Sequence, residues 1–233
     1  MTKINNPLIS VMMPTYNNGK YVKQAIDSIY IQNYENMEII VVDDGSTDNT
    51  KEIVKSYKDI KYFYTEHGGI SHARTIALEN SEGEYIAFCD SDDYWLPGKI
   101  GAQMQYFKEN PDSEIVFTKY EVFFENENLK VNKRAMHEKE IEDSFKQYLP
   151  STLLKKELFE KYGNFDEKFS GIEDCEFIYR ITMKGININH YIDKNFYMRR
   201  IHGNNITLLQ NRSVKSIITS VLRKGIANNI FFI

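Results

Sequence analysis

The sequence predicts an α/β fold in which helices flank a mostly parallel central sheet. Three short apolar runs, at 8–13, 37–42 and 60–65, are each followed by a polar turn and then by a helical pattern. A fourth apolar run, at 85–89, follows the third helix. Strands that alternate with helices in this way are joined by right-handed crossovers and lie parallel to one another.

Each connecting segment carries apolar residues at helical spacing. In the first segment they recur at i, i+3, i+4 and i+7, which places them on one face of a helix. The second helix is predicted over 47–57 and the third over 71–80. The apolar faces comprise Val22, Ala25, Ile26 and Ile29 in the first helix, Ile53, Val54 and Tyr57 in the second, and Ala73, Ile76 and Ala77 in the third.

The alternation is less regular in the second half of the chain. We expect a helix around Ile100, Met104 and Phe107, a strand over 114–124 and a polar loop over 125–142. Helices over 153–162 and 174–184, and strands over 187–191 and 196–201, complete the predicted order. No internal repeat or linker rich in proline and glycine divides the chain. One domain is therefore predicted over 1–207, followed by a helical tail over 208–233.

Composition excludes several classes of protein. Hydrophobic residues make up 42% of the 233 residues, and the net charge of -4 argues against general nucleic-acid binding. The two cysteines, Cys89 and Cys175, are too few for a disulfide framework and indicate a reducing compartment. The sequence contains no signal-peptide pattern and no run of ~18 apolar residues. A soluble, cytoplasmic protein is expected.

Three carboxylates follow the fourth apolar run, in the segment Asp90-Ser91-Asp92-Asp93. Carboxylates this close together raise one another's pKa unless a cation or hydrogen bonds keep them ionised. Oxygen ligands of this kind suit a hard divalent metal, which could in turn bind a phosphate. Ligands of open α/β sheets collect at the carboxyl ends of the strands, where Pro14-Thr15-Tyr16-Asn17 and Asp43-Asp44 are also expected.

Several nucleotide-binding and metal-binding motifs are absent. The turn after the first strand has one glycine, Gly19, and therefore lacks the G-x-G-x-x-G of a dinucleotide-binding dehydrogenase. A P-loop is also missing, and an EF-hand starting at Asp90 would need glycine and glutamate where Trp95 and Gly101 stand. A phosphatase with an aspartyl nucleophile at Asp90-x-Asp92 remains an alternative, as does a non-catalytic module that binds a nucleotide or glycan.

A nucleotide diphosphate bridged by a metal accounts for all the polar clusters together. The chain offers an aromatic ring for the base, carboxylates for base, ribose and metal, and an arginine for phosphate. With these residues it resembles glycosyltransferase family 2, the inverting group with the GT-A fold. The resemblance rests on segments that occur in the family's order: Val11–Asn17, Val41–Asp48, Gly68–Arg74, Gly83–Ile86, Asp90–Asp93, Gly171–Asp174 and Arg200–His202.

The resemblance implies a nucleotide-sugar donor, most often linked to UDP, and a single GT-A domain with a nucleotide-binding half at about 1–100 and an acceptor-binding half at about 101–207. Tyr16 would lie against the base, Asp44 would accept its imide N–H, and Arg74 would face the pyrophosphate. Asp92 and His202 would bind Mn²⁺ or Mg²⁺. Donor contacts are assigned to Pro14, Thr15, Tyr16, Asp44, Arg74, Asp90 and Ser91.

Asp174 is the predicted general base. An acceptor hydroxyl must lose its proton as it attacks the sugar, and a carboxylate in the first turn of a helix is kept ionised there. Glu173 would orient it. The expected acceptor is a glycan or a lipid-linked molecule in surface polysaccharide or glycoconjugate synthesis. The tail, with Lys215 and Lys224 beside an apolar face, resembles a docking helix or one that contacts the inner membrane surface peripherally.

Overall fold

Four parallel strands form the first half of the central sheet. The computed structural model describes residues 6–126, 148–203 and 205. The strand order in this half is β3-β2-β1-β4, and every pair of neighbouring strands is parallel, as the alternating pattern predicted. The elements are β1 (Ile9–Thr15), α1 (Val22–Tyr30), β2 (Met37–Asp43), α2 (Thr50–Lys55), β3 (Ile60–Tyr64), α3 (Ile70–Glu79) and β4 (Tyr85–Phe88).

The second half adds strands of both directions. The whole sheet has the order β3-β2-β1-β4-β7-β6-β8-β5, in which β7 is antiparallel to both β4 and β6, and β8 is parallel to β6. The elements are β5 (Tyr94–Trp95), α4 (Lys99–Glu109), β6 (Ile115–Phe124), a 3-10 turn (Leu149–Ser151), β7 (Leu153–Lys155), α5 (Glu157–Tyr162), a second 3-10 turn (Glu167–Phe169), α6 (Glu173–Met183) and β8 (Tyr191–Ile201).

The helix predicted over 153–162 is partly wrong, because its first residues form β7. Leu153 and Leu154 are both fully buried, but they belong to the two different cores on opposite sides of the sheet. Consecutive side chains on opposite faces are a property of a strand. The strand conformation is stabilised by pairing with β4 and β6. These neighbours are distant in sequence, so the local pattern does not reveal the pairing.

Three smaller predictions also need correction. The strand predicted over 187–191 does not form, and one strand, β8, runs from Tyr191 to Ile201 instead. The helix predicted over 47–57 is shorter, because α2 begins at Thr50, whose N–H donates to the Asp48 carboxylate. The two-residue strand β5 was not predicted. The predicted loop over 125–142, apart from 125 and 126, and the predicted tail over 208–233 lie outside the described residues.

Helices cover the sheet on both faces. Strand β1 is buried along its whole length, with Ile9, Val11 and Met13 in one core and Met12 in the other. The first core packs under α1 and α4, and the second packs under α3, α5 and α6. Within the described ranges, no helix combines the length and the apolar character needed to cross a membrane. Because β1 pairs in parallel with both β2 and β4, the carboxyl ends of these three strands meet at the same edge of the sheet.

Candidate active site

A cavity of about 650 Å³ opens at the carboxyl ends of β1, β2 and β4. Its walls come from the turns after these strands, the start of α3, the first turn of α6 and the end of β8. All ten residues predicted for the site line it, although they are spread from one end of the domain to the other. They are Pro14, Thr15, Tyr16, Asp44, Arg74, Asp90, Ser91, Asp92, Asp174 and His202.

The turn after β1 contains an asparagine, Asn17, in a backbone conformation that glycine adopts more often. Asn17 has a φ of 51°, a left-handed conformation that asparagine tolerates better than most residues. Its N–H donates to Ser46 Oγ at 2.8 Å, and its side chain accepts from Thr47 N–H at 2.8 Å. The β1 and β2 turns are thereby fastened together, which places Tyr16 beside Asp44.

Asp44 is anchored by the loop that precedes α3. Its Oδ1 accepts from Gly68 N–H at 2.8 Å and its Oδ2 from Gly69 N–H at 2.9 Å. The residue is only 3% exposed. Gly69 has a φ of 92°, and a Cβ there would lie 2.9 Å from Ser170 Oγ, so both its conformation and its neighbour favour glycine. The carboxylate therefore holds a fixed position at the cavity wall.

An imidazole covers one face of the Tyr16 ring. The His67 ring stacks on Tyr16 with centroids 4.2 Å apart and planes inclined by 26°. His67 Nδ1 lies 3.1 Å from the Asp44 carbonyl oxygen and 2.8 Å from Asp44 Oδ2. A carbonyl oxygen only accepts, so the hydrogen bond to it requires the hydrogen on Nδ1. No pattern in the sequence assigns His67 a role, because its partners Tyr16 and Asp44 lie in the turns after two other strands.

Arg74 joins two carboxylates beneath the cavity. Its Nη1 donates to Glu173 Oε1 at 2.6 Å and its Nη2 to Asp90 Oδ1 at 3.2 Å, and the guanidinium is almost fully buried. Nε is buried and has no hydrogen-bond partner within the described part of the chain. The expected contact between Arg74 and a pyrophosphate remains a prediction, and the structure gives Arg74 the additional task of fixing Asp90 and Glu173.

Burial and mutual repulsion set the protonation of this group. Burial would lower the pKa of Arg74, but the charges of Glu173 and Asp90 outweigh it and raise that pKa. Burial raises the pKa of Glu173 to about 6, against the opposing effect of Arg74. Burial also raises the pKa of Asp90, with Arg74 opposing and Asp92 adding to the shift. Pairing with Arg74 therefore favours the ionised form of Glu173 and opposes the effect of burial on its pKa.

Asp92 and His202 meet at the opposite wall. Asp92 Oδ2 lies 3.0 Å from His202 Nε2, and Asn205 Nδ2 donates to the same oxygen at 3.1 Å. His202 is 4% exposed, and its ring packs at 4.8 Å against that of Tyr21. Arg200 Nε donates to the Asp92 carbonyl oxygen at 2.9 Å, which fixes the backbone of the acidic turn.

The donor set at this wall fits a divalent cation bound together with a phosphate ligand. No group of three or more His, Cys, Asp or Glu side chains able to hold a metal occurs within 6–126, 148–203 and 205. A carboxylate and an imidazole, however, are a suitable pair for Mn²⁺ or Mg²⁺ when phosphate and water complete the coordination. The charge balance also favours a cation, because six carboxylates and two arginines line the cavity: Asp44, Asp90, Asp92, Asp93, Glu173, Asp174, Arg74 and Arg199.

Asp93 supports the acidic turn from below. Tyr197 Oη donates to Asp93 Oδ2 at 2.8 Å and Arg200 N–H donates to Oδ1 at 2.7 Å. Tyr148 Oη lies 3.4 Å from both Asp90 Oδ2 and Asp93 Oδ2. Burial raises the pKa of Asp93, and the charges of Asp92 and Asp90 add to this shift. Asp93 therefore supports the acidic turn through these hydrogen bonds.

Comparison with known proteins identifies the family. The model of glycosyl transferase family 2 matches residues 10–202, a range that extends from the second residue of β1 to just beyond the end of β8. The chain belongs to this family.

Relatives and solved structures agree with this assignment. An uncharacterised glycosyltransferase of Rickettsia typhi is 34% identical over 200 residues, which are 80% of this chain and 63% of the relative. The putative teichuronic acid biosynthesis glycosyltransferase TuaG of Bacillus subtilis is 38% identical over 108 residues, 44% of this chain and 43% of TuaG. The chain thus spans less than two thirds of the length of these two relatives.

Two solved structures share the fold. TarS 1-349 of S. aureus, in complex with UDP-GlcNAc, superposes with a TM-score of 0.65 at 24% identity, covering 85% of this chain and 60% of that one. The mannosyltransferase PcManGT of Pyrobaculum calidifontis, in complex with GDP-Man and Mn²⁺, gives a TM-score of 0.71 at 20% identity over 93% and 64% of the chains. The GT-A fold expected from the sequence is confirmed.

Asp174 occupies the first turn of α6 in this glycosyltransferase fold. Its Oδ1 accepts from Cys175 N–H at 2.8 Å, and the half-buried side chain lines the cavity. Its neighbour Glu173 is turned away from the cavity centre into the pair with Arg74, and Gly171 N–H donates to its second oxygen at 2.7 Å. The two adjacent acids are therefore separated in role by their partners.

The other residues that line the cavity include four that were not predicted and that lie beside predicted ones. Tyr148, Arg199 and Asn205 surround the acidic turn, and His67 lies at the other end beside Tyr16. Arg199 is placed 5.0 Å from the centre of the Tyr148 ring. Asn205 stands three residues after His202, and this short spacing was the one signal available for it. The other three reach the cavity through packing between distant segments.

Proposed function

We propose that this glycosyltransferase moves a sugar from a UDP-sugar to a glycan or lipid-linked acceptor, with inversion at the anomeric carbon, in the synthesis of a surface polysaccharide or glycoconjugate. One observation carries the proposal: the ten residues expected from separate motifs line a single acidic cavity at the carboxyl ends of the parallel strands. TuaG, which is named for teichuronic acid biosynthesis, favours this type of pathway. TarS, which was solved in complex with UDP-GlcNAc, favours this class of donor.

Donor recognition is assigned to the end of the cavity that contains Tyr16 and Asp44. Pro14 and Thr15 would form the floor of the base pocket, with Tyr16 against the face of the base. Asp44, fixed by Gly68 and Gly69, would accept the imide N–H of uracil. A buried acceptor of this kind discriminates against bases that lack a matching donor, because its carboxylate would then remain unpaired.

The diphosphate is assigned to the wall formed by Asp92 and His202, with Asp90 and Ser91 beside the ribose and sugar. Ser91 Oγ accepts from Asn18 Nδ2 at 2.7 Å, which links the acidic turn to the turn after β1. A Mn²⁺ or Mg²⁺ ion bound by Asp92 and His202 would act as a Lewis acid that neutralises charge on the departing diphosphate. Arg74 holds Asp90 in place from beneath.

Asp174 is the proposed general base. Its carboxylate would accept the proton of the acceptor hydroxyl as the oxygen attacks the anomeric carbon, from the face opposite the leaving diphosphate. Glu173 orients the first turn of α6 through Arg74 and Gly171. The sugar–phosphate bond breaks as the new glycosidic bond forms, and UDP leaves with the electron pair.

The proposal also covers the division of the chain. Residues 1–100 would bind the nucleotide, 101–207 the acceptor, and the tail over 208–233 would dock on the domain, on a partner or on the inner membrane surface. Nucleic acid is not an expected ligand. The phosphatase alternative does not agree with membership of glycosyltransferase family 2.

A panel of nucleotide sugars tests the donor assignment. The purified chain is incubated with UDP-, GDP- and CDP-sugars, with and without Mn²⁺, and nucleoside diphosphate release and thermal stabilisation are both measured. UDP-sugars with Mn²⁺ are expected to raise the melting temperature most, because ligands that bind the native state stabilise it by mass action. Greater stabilisation by GDP- or CDP-sugars would overturn the assignment of uracil to Asp44.

A further inference from the structure

The contacts of His67 are the same two contacts that a uracil base would make. Its ring stacks on Tyr16 at 4.2 Å, and its Nδ1 lies 2.8 Å from Asp44 Oδ2 and 3.1 Å from the Asp44 carbonyl oxygen. A uracil bound as proposed would also stack on Tyr16 and donate an N–H to that carboxylate. We propose that His67 occupies the base subsite when no nucleotide is bound, so that the base must displace its imidazole. This inference rests on the proposed function, because it needs a base at this subsite.

The position of His67 beside the Asp44 carboxylate makes its competition with a base direct. Oδ1 already accepts from Gly68 N–H and Oδ2 from Gly69 N–H, and the residue is nearly buried. His67 Nδ1 also lies 2.8 Å from Oδ2, and 3.1 Å from the Asp44 carbonyl oxygen. Because the imidazole stands beside Oδ2 and over the Tyr16 ring, a base that stacks on Tyr16 and donates to Oδ2 has to take its place.

His67 can leave without disturbing the core. Its side chain is 58% exposed, in contrast to that of Asp44 at 5%. Its backbone is packed closely against Gly45, where an added Cβ would lie 3.1 Å from His67 N, so the main chain is fixed while the ring is free to rotate. Rotation about the side-chain bonds of an exposed residue takes place within nanoseconds. The displacement therefore requires a side-chain movement alone.

The placeholder makes base binding selective. Loss of the imidazole contacts costs the protein one hydrogen bond and one ring stack, each of modest strength. A ligand recovers both only if it presents a flat ring and an N–H on the edge facing Asp44. A sugar phosphate without a base recovers neither, so His67 would keep such molecules from using this end of the cavity.

The test compares the affinity of the wild-type chain and His67→Ala for uridine monophosphate, measured by isothermal titration calorimetry without added metal. Removing the competitor is expected to tighten binding about 5- to 50-fold, the equivalent of the two contacts together. His72→Ala is the matched control, because its imidazole pairs with Glu167 at 3.0 Å and does not line the cavity. Its affinity should stay at the wild-type value.

A second measurement follows the His67 ring itself. Its carbon-bound protons lie over the Tyr16 ring and should resonate upfield in the free protein, then return to ordinary histidine positions when uridine monophosphate is added. Unchanged or weaker binding by His67→Ala, or ring protons that stay upfield in the complex, would overturn the placeholder. If neither protein bound uridine monophosphate, the same pair of titrations with uridine, which carries no phosphate for the carboxylates to repel, would decide. Tighter binding by His67→Ala supports the placeholder, and no binding by either protein overturns the uridine assignment and the placeholder with it.

Discussion

Asp174 is the residue on which turnover depends in the proposed reaction. Asp174→Asn keeps the shape of the side chain and can still contact Cys175 N–H through its amide oxygen, but it cannot accept a proton from the acceptor. We expect transfer to fall by ~10²–10⁴-fold, with UDP affinity unchanged, as measured by UDP release in the presence of acceptor and by calorimetry. Retained turnover would remove Asp174 from this role.

Arg74 combines a structural role with its place at the site. Arg74→Met leaves the buried carboxylate of Glu173 and the partly exposed carboxylate of Asp90 without their cation, and breaking a buried pair such as Arg74–Glu173 costs about 3–5 kcal/mol. Chemical denaturation should therefore show a large loss in the free energy of unfolding. The matched control is Lys61→Met, since Lys61 also joins two carboxylates, Glu38 and Glu82, but at the surface. Similar losses in both variants would contradict this account.

The individual site residues were predictable to different degrees. The acidic residues that directly follow strands could be expected at one edge of the sheet, because the ends of parallel strands must meet. The sequence also predicted a helix-terminal position for Asp174. The partners of Arg74 and the stacking of His67 on Tyr16 were not predictable, because each joins segments whose separation in space follows from the finished fold.

At the scale of elements, a buried lysine connects α4 to the chain before β7. Lys99 is fully buried, donates to the Thr152 carbonyl and to Gln103 Oε1 at 3.1 Å each, and lies 4.3 Å from the Trp95 ring centre. Gln103 in turn donates to the Ser151 carbonyl at 3.0 Å. These bonds satisfy the carbonyls of Ser151, the last residue of the 3-10 turn, and of Thr152, which joins that turn to β7, the strand that was not predicted.

Lys99 should make stability depend on pH. Burial lowers the pKa of Lys99 from 10.5 to about 7. Between these values the unfolded chain binds the proton more strongly, so the native state loses stability as pH falls from about 10 to 7, by up to ~1.4 kcal/mol per pH unit. Denaturation curves of Lys99→Met should lack this dependence. The free energy of unfolding of the variant should therefore rise relative to that of the wild type as pH falls. Parallel pH profiles would show that Lys99 stays charged when buried.

Elements were predicted best where local pattern and tertiary structure agree. The three crossover units of the first half have amphipathic helices between apolar strands, and all their strands and helices form. In the second half, β7 and β5 have two or three residues each and exist only through pairing with strands distant in sequence. Two leucines at the start of 153–162 satisfy helix and strand equally, and the sheet decides between them.

At the scale of the whole molecule, the distribution of charge couples nucleotide and cation. The cavity carries an excess of carboxylates over arginines, so a diphosphate alone meets repulsion there. We expect Mn²⁺ to tighten UDP binding substantially, and UDP to tighten Mn²⁺ binding by the same factor, because coupling between two ligands is reciprocal. Uridine carries no phosphate, and its affinity should not depend on Mn²⁺. Calorimetry measures the affinities for UDP, Mn²⁺ and uridine. Asp92→Asn should remove the coupling between UDP and Mn²⁺ while leaving uridine binding intact. Equal UDP affinities with and without the ion would place the cation outside this site.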